Sequence, residues 1–192
     1  KATEYEVKLG RTVAATILGK NKQSTNKELI KYVNLVGQTV AATSGRKDIS
    51  YYFTVIESDA PNAIAAPGGY VFITSALIDL MKNEAELAGV LAHEIAHINQ
   101  KHVFSKIYKE EDEGGDILSS FLTAKNTSIT VAFGELSNQA LVMVLEKGLD
   151  EEDEFEADVA AILYLQNTGY RSQAYIDLIS RLPTKHTHNK TH

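Results

Sequence analysis

The sequence predicts an α+β fold, mostly helical, with one small sheet and a motif-bearing helix at its centre. Three observations lead there. Apolar residues recur at helical spacing through most of the chain. A single block from Tyr51 to Ile73 is rich in aromatic and β-branched residues, as strands are. The pentapeptide His93-Glu94-Ile95-Ala96-His97 lies inside one of the helical stretches. With 192 residues, 44% of them hydrophobic, the chain is expected to build a single domain, 1–192, around one sizeable core.

From Tyr5 to Gly19 the residues Val7, Leu9, Val13, Ala14, Ile17 and Leu18 mark a first helix. Ser24 or Asn26 caps a second, whose apolar face runs through Leu29, Ile30, Val33, Val36 and Val40 to a stop near Ser44-Gly45. Tyr51 to Ile56 reads as a strand and Asp59 to Asn62 as a turn, so a hairpin onto Asn62–Ala66 is expected. Pro67-Gly68-Gly69 interrupts, and Tyr70-Val71-Phe72-Ile73 resumes extended chain. Proline and paired glycines suit an edge strand, and an exposed edge can bind an extended peptide by strand addition. Gly68, Gly69, Tyr70 and Val71 are therefore the expected substrate-binding edge.

Thr74 or Ser75 caps a short helix through Leu80-Met81. Asn83, with Glu86 in a capping-box position, starts the next, and Leu87, Val90, Leu91, Ile95 and Ile98 give it a buried face. Positions four apart on a helix lie about 40° apart and about 6 Å along the axis, so His93 and His97 can reach one ion. Two imidazoles on a zinc ion, with a carboxylate at Glu94 beside the attacking water, is metalloprotease chemistry. His102, nine residues from His93, falls about 180° round a continuing helix and reads as structural.

Beyond His102 the acidic stretch Lys109–Asp116, with Gly114-Gly115, reads as a solvated loop or flap, and Ile117–Leu122 as a short apolar helix. Helices are expected again from Thr130 to Glu146, from a cap at Asp150 to about Asn167, and from a cap at Ser172 to a stop before Pro183. Residues 184–192 form a polar tail holding three of the 6 histidines. Catalytic zinc takes a third protein ligand, and Asp150 to Asp158 is crowded with carboxylates. Glu154 with Asp158 and Glu152 with Glu156 have the same helical spacing, and spacing does not choose between them. Tyr170 and Arg171 are candidate oxyanion donors by side-chain chemistry.

The ordered set PGGYVF at 67–72, HEIAH at 93–97 and EFEAD at 154–158 resembles metallopeptidase family 48, the HExxH/ExxxD gluzincins that include the prenyl endopeptidases, HtpX and soluble envelope proteases. Asn83 to Ala92 extends the likeness, which covers Asn62–His102 and Gly148–Gly169. The resemblance implies a zincin-like minidomain with a small, mainly antiparallel sheet. It implies one Zn2+ held by His93, His97 and Glu154, Glu94 as general base, and Asp158 supporting a ligand from behind. The family's Thr-His-Pro turn has partial counterparts at Thr187-His188-Asn189 and Thr191-His192, which makes His188 the position for a fourth, inhibitory ligand.

The expected activity is zinc-dependent hydrolysis of peptide bonds in unfolded or misassembled proteins. The alternative is a proteolytically silent zinc-containing chaperone or binding module. A formal charge of -6 with scattered Lys and Arg argues against a nucleic-acid partner, and zero cysteines exclude disulfides and thiolate chemistry. No run approaches the roughly 20 apolar residues of a membrane span. A start at Lys1 is expected of a chain whose signal or lipid anchor has been removed, and the resemblance implies a periplasmic or envelope setting.

Overall fold

A computed structural model describes residues 2–112 and 127–182. Residues 113–116 of the acidic stretch, the Ile117–Leu122 segment and the tail with His188 lie outside the described residues.

Helix α1 (Ala2–Lys20) is followed by α2 (Lys27–Thr43), whose first turn is capped by Asn26 Oδ1 accepting from the Leu29 amide. Strands β1 (Tyr52–Ile56), β2 (Ala63–Ala66) and β3 (Tyr70–Thr74) come next, with a single 3-10 turn, Pro67–Gly69, between the last two. Helices α3 (Ser75–Asp79), α4 (Glu84–Asn99), α5 (His102–Asp112) and α6 (Thr127–Val142) follow. A π turn, Met143–Lys147, leads to α7 (Glu151–Thr168) and α8 (Ser172–Ile179).

The sheet lies between two helical layers, and strand alternation divides its side chains between them. Phe53, Val55, Ala65, Val71 and Ile73 face a core shared with α2, α4, α7 and α8, which includes Val36, Leu91, Ile95 and Leu165. Ile56, Ile64, Ala66 and Phe72 face a second core with α1, α5 and α6, through Val13, Ile17, Ile107 and Leu136. Helix α4 is buried along nearly its whole length, which explains why its apolar content goes all round and not along one stripe.

Strand order is β1-β3-β2. β3 pairs in parallel with β1, Tyr52 opposite Tyr70 through Ile56 opposite Thr74, and antiparallel with β2, Ala63 opposite Ile73 through Ala66 opposite Tyr70. The sheet is thus mixed, not mainly antiparallel, and the expected β1–β2 hairpin is replaced by a β2–β3 hairpin closed by Pro67–Gly69. The expectation that Gly68 to Phe72 forms an edge is overturned. Tyr70 and Val71 sit in the central strand, with ladders on both sides, and Gly68 and Gly69 are buried in the turn before it. Packing against α1 demands the glycines. Gly68 has φ 75°, and a Cβ there would stand 2.7 Å from the Val7 Cα.

Three smaller expectations also change. The helix α5 continues through Asp112, so Lys109–Asp112 is helical and not loop. Arg171, not Ser172, occupies the cap position of α8. Asn83 caps α4, its Oδ1 accepting from the Glu86 amide at 3.1 Å, but Glu86 does not complete a capping box. Its buried carboxylate accepts from the Lys82 amide at 2.8 Å and from Arg181 at 2.7 Å, pinning the end of α8 to the start of α4.

Candidate metal centre

The site is built where α4 and α7 cross. His93 and His97 are one turn apart on α4, and their Nε2 atoms are 2.9 Å apart with the rings edge-on at 81°. Glu154, in the first turns of α7, places Oε2 3.3 Å from His93 Nε2 and Oε1 3.8 Å from His97 Nε2. One ligand atom from each of the three lies within 4.8 Å of the others. Of the carboxylates in Asp150 to Asp158, the structure brings Glu154 to the histidine pair. Glu152 is exposed, and Glu156 turns toward His102 at 3.4 Å.

Each imidazole is held from behind. Asp158, one turn beyond Glu154, has Oδ1 2.8 Å from His93 Nδ1, and the Tyr175 hydroxyl donates to the same oxygen at 2.7 Å. Tyr175 reaches there because Gly89 leaves room for its ring. A Cβ on Gly89 would stand 2.5 Å from the Tyr175 Cβ. His97 Nδ1 is 2.8 Å from His102 Nδ1. Glu94 is 8% exposed, and its charge reaches both His93 and Tyr175.

The electrostatics separate the two imidazoles. Burial works against charge on both. For His93 the hydrogen bonds to Asp158 and Glu154 outweigh it, and its pKa is raised. His97 is lowered, by burial first and then by the positive charge of His93. Burial would raise Asp158, but its bonds to His93 and Tyr175 bring it below the ordinary carboxylate value. Tyr175 is raised far above the phenolic range by burial and by Asp158, so it remains a donor.

A divalent cation fits this set. His93 Nε2, His97 Nε2 and the Glu154 carboxylate converge on one point, with the two ring nitrogens 2.9 Å apart. Tetrahedral zinc with bonds of about 2.0–2.1 Å separates its nitrogen ligands by about 3.3 Å, so the rings need to part by only about 0.4 Å. Imidazole and carboxylate donors, each nitrogen ligand fixed by its other ring nitrogen, are the chemistry zinc sites use.

Comparison of the sequence with known families matches Peptidase family M48 over residues 27–192. The chain belongs to peptidase family M48. This M48 domain is 31% identical over 160 residues to the beta-barrel assembly-enhancing protease of Yersinia pestis, covering 80% of this chain and 32% of that protein. It is 26% identical over 185 residues to the protein of the same name in Escherichia coli, covering 92% and 37%. The mitochondrial metalloendopeptidase OMA1 of Schizosaccharomyces pombe is 30% identical over 151 residues, covering 79% and 43%. The M48 domain therefore spans about a third to two-fifths of the length of these relatives.

Two expected donors are elsewhere. The Tyr170 hydroxyl donates to Glu84 at 2.6 Å, nine residues and about 13 Å along α4 from His93, and Arg171 is exposed at the cap of α8. Sequence reading missed Tyr175 and misplaced His102. No local pattern marks Tyr175, which reaches the site only because α8 folds back on α4. The far-side position expected for His102 assumes one continuous helix. Instead α4 ends at Asn99, and Lys101 takes a left-handed φ of 59°. Helix α5 then starts in a new direction and returns His102 to His97.

Proposed function

We propose that this M48 domain, residues 1–192 acting as one catalytic unit, is a zinc-dependent metalloendopeptidase. The observation that carries the reading is the convergence of His93, His97 and Glu154 from two helices, with Glu94 buried on the same turn of α4. A zinc ion held there supplies a Lewis acid for the scissile carbonyl and lowers the pKa of the attacking water to about 7.

The chain's own residues do the rest. Glu94 takes a proton from the attacking water and delivers it to the leaving amine, so one carboxylate serves as base and then as acid. Asp158, fixed by Tyr175, holds the Nδ1–H of His93 and thereby keeps its Nε2 lone pair directed at the site. No side-chain nucleophile is used, and no covalent intermediate with the chain forms.

Substrate pairing moves from β3 to the outer edge of β2. The Asn62 carbonyl accepts from the Thr74 amide at 3.0 Å, and antiparallel alternation then directs the Ile64 and Ala66 backbone inward. Ala63 and Ala65 direct their N–H and C=O outward. An extended peptide would lie along this edge, which passes close to the metal site: Ala65 and His97 share the lining of one small hollow.

Unfolded or misassembled proteins are the proposed substrates, and the relatives' names, a beta-barrel assembly-enhancing protease and a mitochondrial metalloendopeptidase, support a protein substrate. Among the described residues no helix is long and apolar enough to cross a membrane. Digestion of casein and of an unfolded outer-membrane protein, with chelator and with zinc restored, tests the proposal. Cleavage that chelator stops and zinc restores is expected. Stoichiometric binding without cleavage by the zinc-loaded domain would instead make it a silent binding module.

A further inference from the structure

The two imidazoles of the site are supported in different ways. His93 leans directly on a carboxylate, whereas His97 Nδ1 meets another imidazole nitrogen, His102 Nδ1, at 2.8 Å. His102 is itself 6% exposed, and its Nε2 lies 3.4 Å from Glu156 Oε2 and 3.9 Å from Asp153 Oδ1. Lys106 Nζ is 2.8 Å from Asp153 Oδ2 and also pairs with Asp150, which holds Asp153 in place behind the ring.

Hydrogen-bond bookkeeping leaves one consistent assignment when His97 offers Nε2 as a ligand. Nε2 then carries a lone pair, so Nδ1 carries the hydrogen and must donate. The acceptor 2.8 Å away is His102 Nδ1, which requires His102 to carry its own hydrogen on Nε2. That hydrogen points at Glu156 and Asp153.

We propose that His102 is a positioning residue for the metal site, a neutral Nε2–H imidazole that accepts from His97 Nδ1–H and relays its orientation to the Glu156 and Asp153 carboxylates. The left-handed turn at Lys101 belongs to the same device, because it breaks the helix between His97 and His102 and sets the two rings at 72°. Asp158 supports His93 with a full charge, and His102 supports His97 with a neutral dipole backed by charge one ring further out. This inference rests on the zinc reading of the site.

The test compares the wild-type domain with His102→Leu and His102→Asn. Asparagine keeps an acceptor oxygen near the position of His102 Nδ1, and leucine keeps only bulk. Zinc affinity is measured by competition with a chromophoric chelator, and the His97 tautomer by long-range nitrogen–proton NMR of the zinc-loaded domain, with thermal unfolding run in parallel. His102→Leu is expected to bind zinc about 10–100-fold more weakly and to lose the sharp Nδ1–H resonance of His97. His102→Asn is expected to recover most of both.

Affinity in His102→Leu equal to wild type overturns the inference, as does an asparagine variant no better than leucine at matched thermal stability. A wild-type domain that takes up no zinc overturns the metal centre itself. Wild-type uptake with indifferent His102 variants overturns only the role of His102.

Discussion

Two charged clusters lie against α4, and they differ in how far they are closed off from solvent. At its C-terminal end Glu6 from α1 is fully buried, yet its carboxylate meets Arg46 at 2.7 and 2.6 Å, the Gly68 amide at 3.2 Å and Lys101 at 3.6 Å. Arg46 also donates to the Ile98 carbonyl at 2.9 Å, closing the network. One turn earlier, His93 Nε2, His97 Nε2 and the Glu154 carboxylate converge on a common point, and Glu154 leaves 46% of its side chain in solvent. The first cluster is neutralised from within and ties four chain segments together, at Glu6, Arg46, Gly68 and Ile98 to Lys101. In the second, two imidazole nitrogens and a carboxylate from two helices converge at a half-open position, which is the physical difference between a structural ion pair and a ligand set.

Substitutions can break or sharpen that contrast. Glu94→Gln is expected to lower peptide hydrolysis about 10²–10⁴-fold while zinc stays bound, because the base is lost and the ligands are kept; turnover and metal content on the same sample check it. Arg46→Met leaves the Glu6 charge buried without its partner and should cost about 3–5 kcal/mol in urea unfolding. Pairing it with Glu6→Leu should return much of that loss, and a small effect of Arg46→Met alone would remove the structural reading of the first cluster.

In the second cluster, Glu154→Ala should weaken zinc binding by more than about 100-fold, while Glu152→Ala leaves it unchanged, since losing a ligand costs more than losing a ligand's support. Chelator competition distinguishes them, and the reverse outcome would reassign the ligand. Tyr175→Phe deletes only the hydroxyl that fixes Asp158, and about a tenfold loss of affinity is expected by the same assay.

The smallest effect is that of pH. In the metal-free chain His93 holds a proton with a raised pKa, and zinc must displace it, so zinc affinity should rise as pH rises through neutrality. Calorimetry in buffers of different ionisation heat would show the released proton. The same linkage acts on metal-free stability. The lowered Asp158 contributes fully above its ordinary 3.8 and the raised His93 fully below its ordinary 6.5, so their joint contribution is greatest between those values.

Legibility in the sequence followed the range of the interactions. Caps and periodicity are local, so most of the helices and the cap at Asn83 can be read directly, and the caps at Asn26 and Thr74 narrowed to one of two neighbours each. Strand partners are not local. Pro67-Gly68-Gly69 looks like the mark of an exposed edge, and only the passage of α1 across it shows that the glycines serve close packing beside a central strand. Tyr170 and Tyr175 are equally plausible donors in one dimension, but the first bonds Glu84 and the second Asp158.

The sequence by itself determined the pair on α4. Residues four apart on a helix share a face whatever surrounds them, whereas Glu154 and Asp158 are named for testing only through the resemblance that HEIAH with EFEAD carries. Tertiary structure decided that Glu154 is the carboxylate beside the pair and that β3 is the central strand. It also decided that His102, across a left-handed break, returns to His97. Those outcomes depend on how helices cross and where a chain reverses, and they are set by packing between segments far apart in sequence.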